Sequence, residues 1–241
     1  MGDIILQACL NGARSRDEAE GVPITAEDLA RDAAAARAAG AEALHIHPRG
    51  QDGAESLAPE VLDETLAAVR AAVPGMPVGV ATGDWIAPGG AARRAHIAAW
   101  RTLPDYASVN LSEPDAPEVM ALLLDMGVGI EAGLWTGADA KRFAALPEAP
   151  RALRVLIEPV EPDAGGAEAT FRAIRAVLGE AGLGLPLLLH GLDATAWPML
   201  RLAAAEGVST RIGFEDTLAM PDGTPAPSNA PLVEAARALF R

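Results

Sequence analysis

Eight short apolar runs alternate with eight Ala-rich amphipathic stretches from one end of the chain to the other, and this limits the fold to a repeated strand–helix unit. Runs of about 5–8 apolar residues suit strands buried on both faces of a parallel sheet. The pattern predicts strands at 3–10, 43–48, 77–82, 107–111, 129–133, 153–159, 186–191 and 209–215. It predicts helices at 26–39, 58–72, 89–100, 116–126, 137–146, 166–181, 194–206 and 229–240. Thr25 before Ala-Glu-Asp is a helix cap, and Ser228 or Asn229 caps the last helix, with Pro231 in its first turn. Gly40, Gly182 and Gly207 are stop signals. Eight such units in 241 residues fit a TIM barrel, which takes roughly 250. A doubly wound open sheet is the runner-up. With no linker and no break in composition, residues 1–241 read as one α/β TIM-barrel domain.

Composition removes several function classes. The chain has 19 Lys+Arg against 33 Asp+Glu, a formal charge of −14. Nucleic acid and anionic membrane need a basic footprint, so neither is expected as a partner. No apolar run approaches the ~20 residues of a membrane-crossing helix, and no basic segment precedes the first run, so no secretory leader is expected. Cys9, the single cysteine, excludes an internal disulfide and fits a reducing cytoplasm. Lys141, the single lysine, lies at the start of a predicted exposed helix. Schiff-base chemistry needs a desolvated lysine, which this chain does not offer.

In a TIM barrel the active site lies at the C-terminal ends of the strands. Polar residues collect there: Asn11, His45 and His47, Thr82 and Asp84, Ser108 and Asn110, Glu131, Glu158, His190, and Glu215-Asp216. Three of the four histidines are on this rim, and only His96 falls in a helix. Side chains two apart on a strand point the same way. His45 and His47 therefore face the barrel axis while Leu44 and Ile46 face the helices, which favours a shared metal over two hydrogen-bonded core histidines. A zinc site with an open position needs a third protein ligand. In Arg211-Ile-Gly-Phe-Glu-Asp216, alternation directs Arg211 and Glu215 inward, leaving Asp216 free for proton transfer with Arg211 to orient it. His190 is the rival ligand, and a substrate contact is the preferred role for it.

His45-Ile-His-Pro-Arg49, Ser108-Val-Asn110-Leu, Arg211-Ile-Gly-Phe-Glu-Asp216 and Pro227-Ser-Asn-Ala-Pro-Leu-Val together resemble the β-keto acid cleavage enzymes, over nearly the whole chain. The resemblance implies a zinc-dependent barrel with His45, His47 and Glu215 as ligands. It implies a Claisen-type exchange in which a β-keto acid and acetyl-CoA become acetoacetate and a new acyl-CoA. Asp216 matches the family's base and Arg211 its partner. Thr82, Ser108, Asn110 and Glu131 match positions that line or support the substrate pocket, and Arg49 completes the histidine motif and joins the substrate-binding set. A homo-oligomer is implied as well.

The chain also departs from the family. In the founding 3-keto-5-aminohexanoate cleavage enzyme an acid meets the substrate's amino group; here Asn11-Gly-Ala-Arg14 puts an arginine there, so an anionic or neutral distal group is expected. Gly50 replaces an aspartate, the region between the fifth and sixth strands is short, and Glu158 stands where the family tends toward glycine. A metal-dependent hydrolase or lyase without CoA is the second reading. A binding protein that kept the metal pocket is the third.

Overall fold

The structure, a computed structural model, describes residues 4–86 and 91–240. Each apolar run forms a strand: β1 (Leu6–Cys9), β2 (Ala43–Ile46), β3 (Val78–Ala81), β4 (Tyr106–Asn110), β5 (Gly129–Leu134), β6 (Arg154–Ile157), β7 (Leu187–Leu189) and β8 (Ser209–Ile212). The helices between and after them are α1 (Ala26–Ala38), α2 (Pro59–Ala72), α3 (Ala91–Ala98), α4 (Ala116–Asp125), α5 (Gly137–Ala144), α6 (Ala164–Glu180), α7 (Ala196–Glu206) and α8 (Asn229–Arg237). The predicted strand start at residue 3 and helix start at 89–90 lie outside the described residues. The strands pair in chain order, all parallel, and β8 returns to β1, so the sheet is a closed TIM barrel rather than an open one.

Period-two alternation sorts the strand side chains. Leu44 and Ile46, Val78 and Val80, Ala107 and Val109, and Ile130 and Ala132 join one hydrophobic core between barrel and helices. The alternate residues face the axis, and many are polar. Deep in the barrel Gln7 Nε2 donates to Tyr106 Oη at 3.0 Å and to Glu131 Oε1 at 2.8 Å, while Arg154 Nε donates to the same Glu131 oxygen at 2.5 Å. These groups form a polar floor beneath the rim.

Local signals work at several helix ends. Thr25 and Asp28 cap α1 reciprocally, and Gly207 ends α7 with a φ of +64°. At α8 the expectation needs correction. Ser228 is the cap residue but makes no side-chain cap bond, and Asn229 is fully buried in another task. Its Oδ1 accepts from Phe214 N at 2.6 Å, and its Nδ2 donates to Leu10 O at 2.8 Å and to Asp32 Oδ2 at 2.5 Å. One amide thus ties the exits of β1 and β8 to α1.

That seam is tight. A Cβ on Gly213 would lie 2.0 Å from Cys9 O and 2.9 Å from Asn229 Oδ1. Gly213→Ala is expected to destabilise the protein by about 1–3 kcal/mol. Gly184→Ala, where no atom lies within 4 Å of the new Cβ, should be neutral within about 0.5 kcal/mol. Chemical denaturation compares the two, and equal stabilities would contradict the tight seam.

Burial pushes the Asp32 carboxyl up to about 6, against the opposing pull of the Asn229 amide. A pKa raised on folding gives stability that is full below the unfolded value of 3.8 and is lost as pH rises through about 6. Asp32→Asn should therefore gain on the native protein between those two pH values, by of order 1–3 kcal/mol, and hold the gain above them. Paired melts across that range check the sign.

Candidate metal centre and substrate pocket

β2 ends at the rim with both imidazoles facing inward, as its alternation requires. His45 Nε2 and His47 Nε2 are 3.1 Å apart. Glu215 closes the group, with Oε2 at 3.6 Å from His45 Nε2 and Oε1 at 3.5 Å from His47 Nε2. Tetrahedral donors at ~2.0–2.1 Å from one ion stand about 3.3 Å apart. Each imidazole stands near that spacing from the other and from one oxygen of Glu215, and Glu215 Oε2 is buried with no hydrogen-bond donor. The residues fit a divalent ion.

Surrounding groups fix the donors. Asn11 brackets the His47 backbone, donating to its carbonyl and accepting from its N–H, both at 2.9 Å. His47 Nδ1 bonds Glu55, leaving Nε2 toward the shared centre. Burial lowers the His45 pKa to about 3, so its ring is neutral near pH 7. Burial also works to lower His47, but Glu215 and Glu55 outweigh it and raise the pKa to about 9. For Glu215, burial acts upward, and Arg211 with the two imidazoles holds the carboxyl well below the ordinary range.

Strand alternation does not carry through to Glu215 and Asp216. β8 ends at Ile212, and the chain turns at once, with Asp216 N and Thr217 N both donating to Gly213 O at 2.9 Å. The turn brings both carboxylates back to Arg211, whose Nη2 donates to Glu215 Oε1 and Asp216 Oδ1, each at 2.8 Å. Asp216 is fully buried, and His190 Nδ1 lies 3.3 Å from its Oδ1. The other face of His190 meets Glu158, Nε2 to Oε2 at 3.1 Å.

A cavity of about 390 Å³ opens over the donors. Arg14, Ser108, Asn110, Arg211, Glu158 and Glu215 line it with the two histidines. The remaining expected substrate-binding residues sit elsewhere. Thr82 is buried, its hydroxyl donating to Ser108 O at 2.6 Å. Glu131, third in β5 with three strand residues above it, belongs to the floor. His190 lies behind Glu158. Arg49 staples loops instead, with Nη1 on Gly53 O at 2.8 Å and Nη2 on Gly12 O at 2.6 Å and Arg14 O at 2.9 Å. It thereby steadies the loops that carry Glu55 and Arg14.

The sequence reading missed Glu55, Glu18, Asp193, Trp85 and Trp135. Trp85 and Trp135 line the cavity, and Trp85 Nε1 donates to Glu55 Oε2 at 3.2 Å. Each tryptophan falls within four residues of a strand end, a signal the rim survey could have used. Arg14 Nη1 meets Glu18 at 3.0 Å and Nη2 meets Asp193 at 2.5 Å, so the arginine reaches the pocket already paired.

A family model described as beta-keto acid cleavage enzyme matches residues 3–121 and 146–241. The unmatched interval takes in the end of α4, β5 and all of α5. The chain is 24% identical over 249 residues to the 3-keto-5-aminohexanoate cleavage enzyme of Acetoanaerobium sticklandii, covering 97% of this chain and 90% of that one. It is 28% identical over 263 residues to the 3-oxoadipate:acetyl-CoA acetyltransferase of Cupriavidus necator, covering 98% and 87%. Among solved structures, ObcA in binary complex with oxaloacetate superposes with a TM-score of 0.71 at 17% identity, over 90% of this chain and 63% of that one. This chain thus spans less than two thirds of ObcA, and that likeness is one of fold.

If Glu55 orients His47, Glu55→Gln should weaken metal affinity about 10–100-fold without unfolding the protein. His47→Ala should lose most of the bound metal. Competition titration with a chelating dye and elemental analysis check both; undiminished metal in His47→Ala would remove it from the centre.

Proposed function

The chain belongs to the β-keto acid cleavage enzyme family, and from that premise we propose that it cleaves a β-keto acid by acyl exchange with acetyl-CoA, giving acetoacetate and a new acyl-CoA. The observation that carries this reading is the cluster of His45, His47 and Glu215, whose donor atoms lie within 4.8 Å of one another at the rim of such a barrel. Zinc suits two imidazoles and a carboxylate better than magnesium or calcium, and when bound it supplies a Lewis acid that polarises the keto carbonyl.

The chain's own residues do the rest. Glu55 and Asn11 hold His47 in register, and Arg211 holds Glu215 and Asp216 in one geometry. Asp216, with Arg211 as partner, belongs to the proton-handling group. Ser108 and Asn110 offer hydrogen bonds to the substrate from the β4 wall. Arg49 and Thr82 act on substrate through the loops and strands they fix, Glu131 through the floor, and His190 through Glu158. A cytoplasmic homo-oligomer of this single domain is part of the same reading, carried by the family resemblance.

Arg14 sets the distal end. An ammonium there would face a guanidinium, whereas a neutral group avoids that repulsion and a carboxylate can share the arginine with Glu18 and Asp193. The second reading, cleavage without CoA, draws support from the residues 122–145 that the family model leaves out.

A panel of β-keto acids with amino, methyl and carboxyl ends, incubated with and without acetyl-CoA and read by mass spectrometry, tests both. Expected are acetyl-CoA-dependent acyl-CoA formation and a kcat/KM for the methyl or carboxyl end at least ~10-fold above the amine, the equivalent of about 1.4 kcal/mol. Product formed equally well without CoA would favour the second reading. A preference for the amine would refute the role given to Arg14.

A further inference from the structure

Asp216 has no face on the cavity. It is fully buried, and it meets the groups nearer the cavity through Arg211 and through His190, itself 1% exposed. Beyond His190 stands Glu158, which lines the same cavity as His45, His47 and Glu215. Glu158 Oε2 is held by His190, and no donor among the described residues reaches Oε1. The backbone is held too: β6 ends at Ile157, Glu158 N continues the ladder to Leu134 O at 3.1 Å, and Pro159 follows. A carboxylate braced on one oxygen and free on the other, at the wall of a pocket, is the arrangement general-base catalysis requires.

We infer that Glu158 takes the α-proton of the substrate in this pocket and returns it, with His190 and Asp216 behind it as positioning residues. The inference rests on the β-keto acid reading but not on the use of CoA. In the step, a C–H bond of the methylene between keto group and carboxylate breaks. The proton goes to Glu158 Oε1, and the electron pair passes into the enolate. On reversal, or after carbon–carbon bond cleavage, the carboxyl gives the proton back to carbon.

The charges behind Glu158 keep it ionised before the step, at a cost in base strength. Burial and Arg211 oppose charge on His190, but Asp216 and Glu158 outweigh them and raise its pKa to about 9. Burial acts to raise Glu158, and His190 and Arg211 hold it lowered, so it begins as a carboxylate. Once Glu158 has taken the proton, the His190 imidazolium still faces it from behind, 3.1 Å from Oε2.

The test follows exchange of the α-protons of 3-oxoadipate in D2O by NMR, without acetyl-CoA and with the spontaneous rate subtracted, on zinc-supplied protein. Glu158→Gln should lower catalysed exchange about 10²–10⁴-fold while keeping metal content and melting temperature. Should that variant fail to fold, Glu158→Asp, which keeps the charge and withdraws the oxygen, should also lower exchange. Asp216→Asn should lower it too, and the double variant should be no slower than Glu158→Gln alone, because groups acting as one unit are not additive. Absence of catalysed exchange in the native protein, full exchange in Glu158→Gln, or losses that multiply would overturn the assignment. Glu158-dependent exchange without acyl transfer to acetyl-CoA would uphold it and remove only the acyl-exchange reading.

Discussion

One buried guanidinium organises the rim. Arg211 is 2% exposed, and a single nitrogen of it holds both Glu215 and Asp216. A buried charge is tolerable only when paired and hydrogen-bonded. Here the pairing also fixes Glu215, the third residue of the candidate metal centre, and the carboxylate behind His190. Gly213 makes the geometry available, since only a residue without a side chain lets β8 pass this close to Cys9 and turn back over Arg211.

The loops after β1 and β2, next to β8 in the barrel, are held by the same means. Arg49 bonds the carbonyls of Gly12, Arg14 and Gly53, so the first and second strand–helix loops share one anchor. Glu55 lies back across this anchor, antiparallel to Arg49, and reaches His47 and Trp85 together. Loops fixed in this way can hold side chains to the precision that a metal centre needs.

The floor pairs the charged groups that the barrel buries deepest. Glu131 is fully buried, but Gln7 and Arg154 both donate to it, and the Arg154 guanidinium stacks 4.6 Å from the Tyr106 ring centre. The Tyr106 hydroxyl in turn reaches Leu44 O at 2.5 Å. The network fixes how the strands meet, although Glu131 Oε2 and Arg154 Nη2 are buried within it without partners. It also sets Glu131 beneath the pocket, in the supporting rather than the lining place of the two that the family resemblance implied.

The sequence by itself determined the eight strand–helix units and the inward direction of His45 and His47. Both follow from periodicity, which is a local property of an extended or helical backbone, whereas Glu215 as their partner came from the family resemblance. Periodicity ends where the strand ends. Past Ile212 the chain turns, so Glu215 and Asp216 meet one arginine instead of diverging. Asn229 reads as a helix cap locally, but its partners Leu10 and Asp32 are distant in sequence and become neighbours only when the barrel closes. The tertiary structure alone decided that Glu55 backs His47, that Arg49 serves loops rather than substrate, and that Glu158 stands between His190 and the cavity. Each is a contact across strands or loops, and no spacing along the chain encodes it.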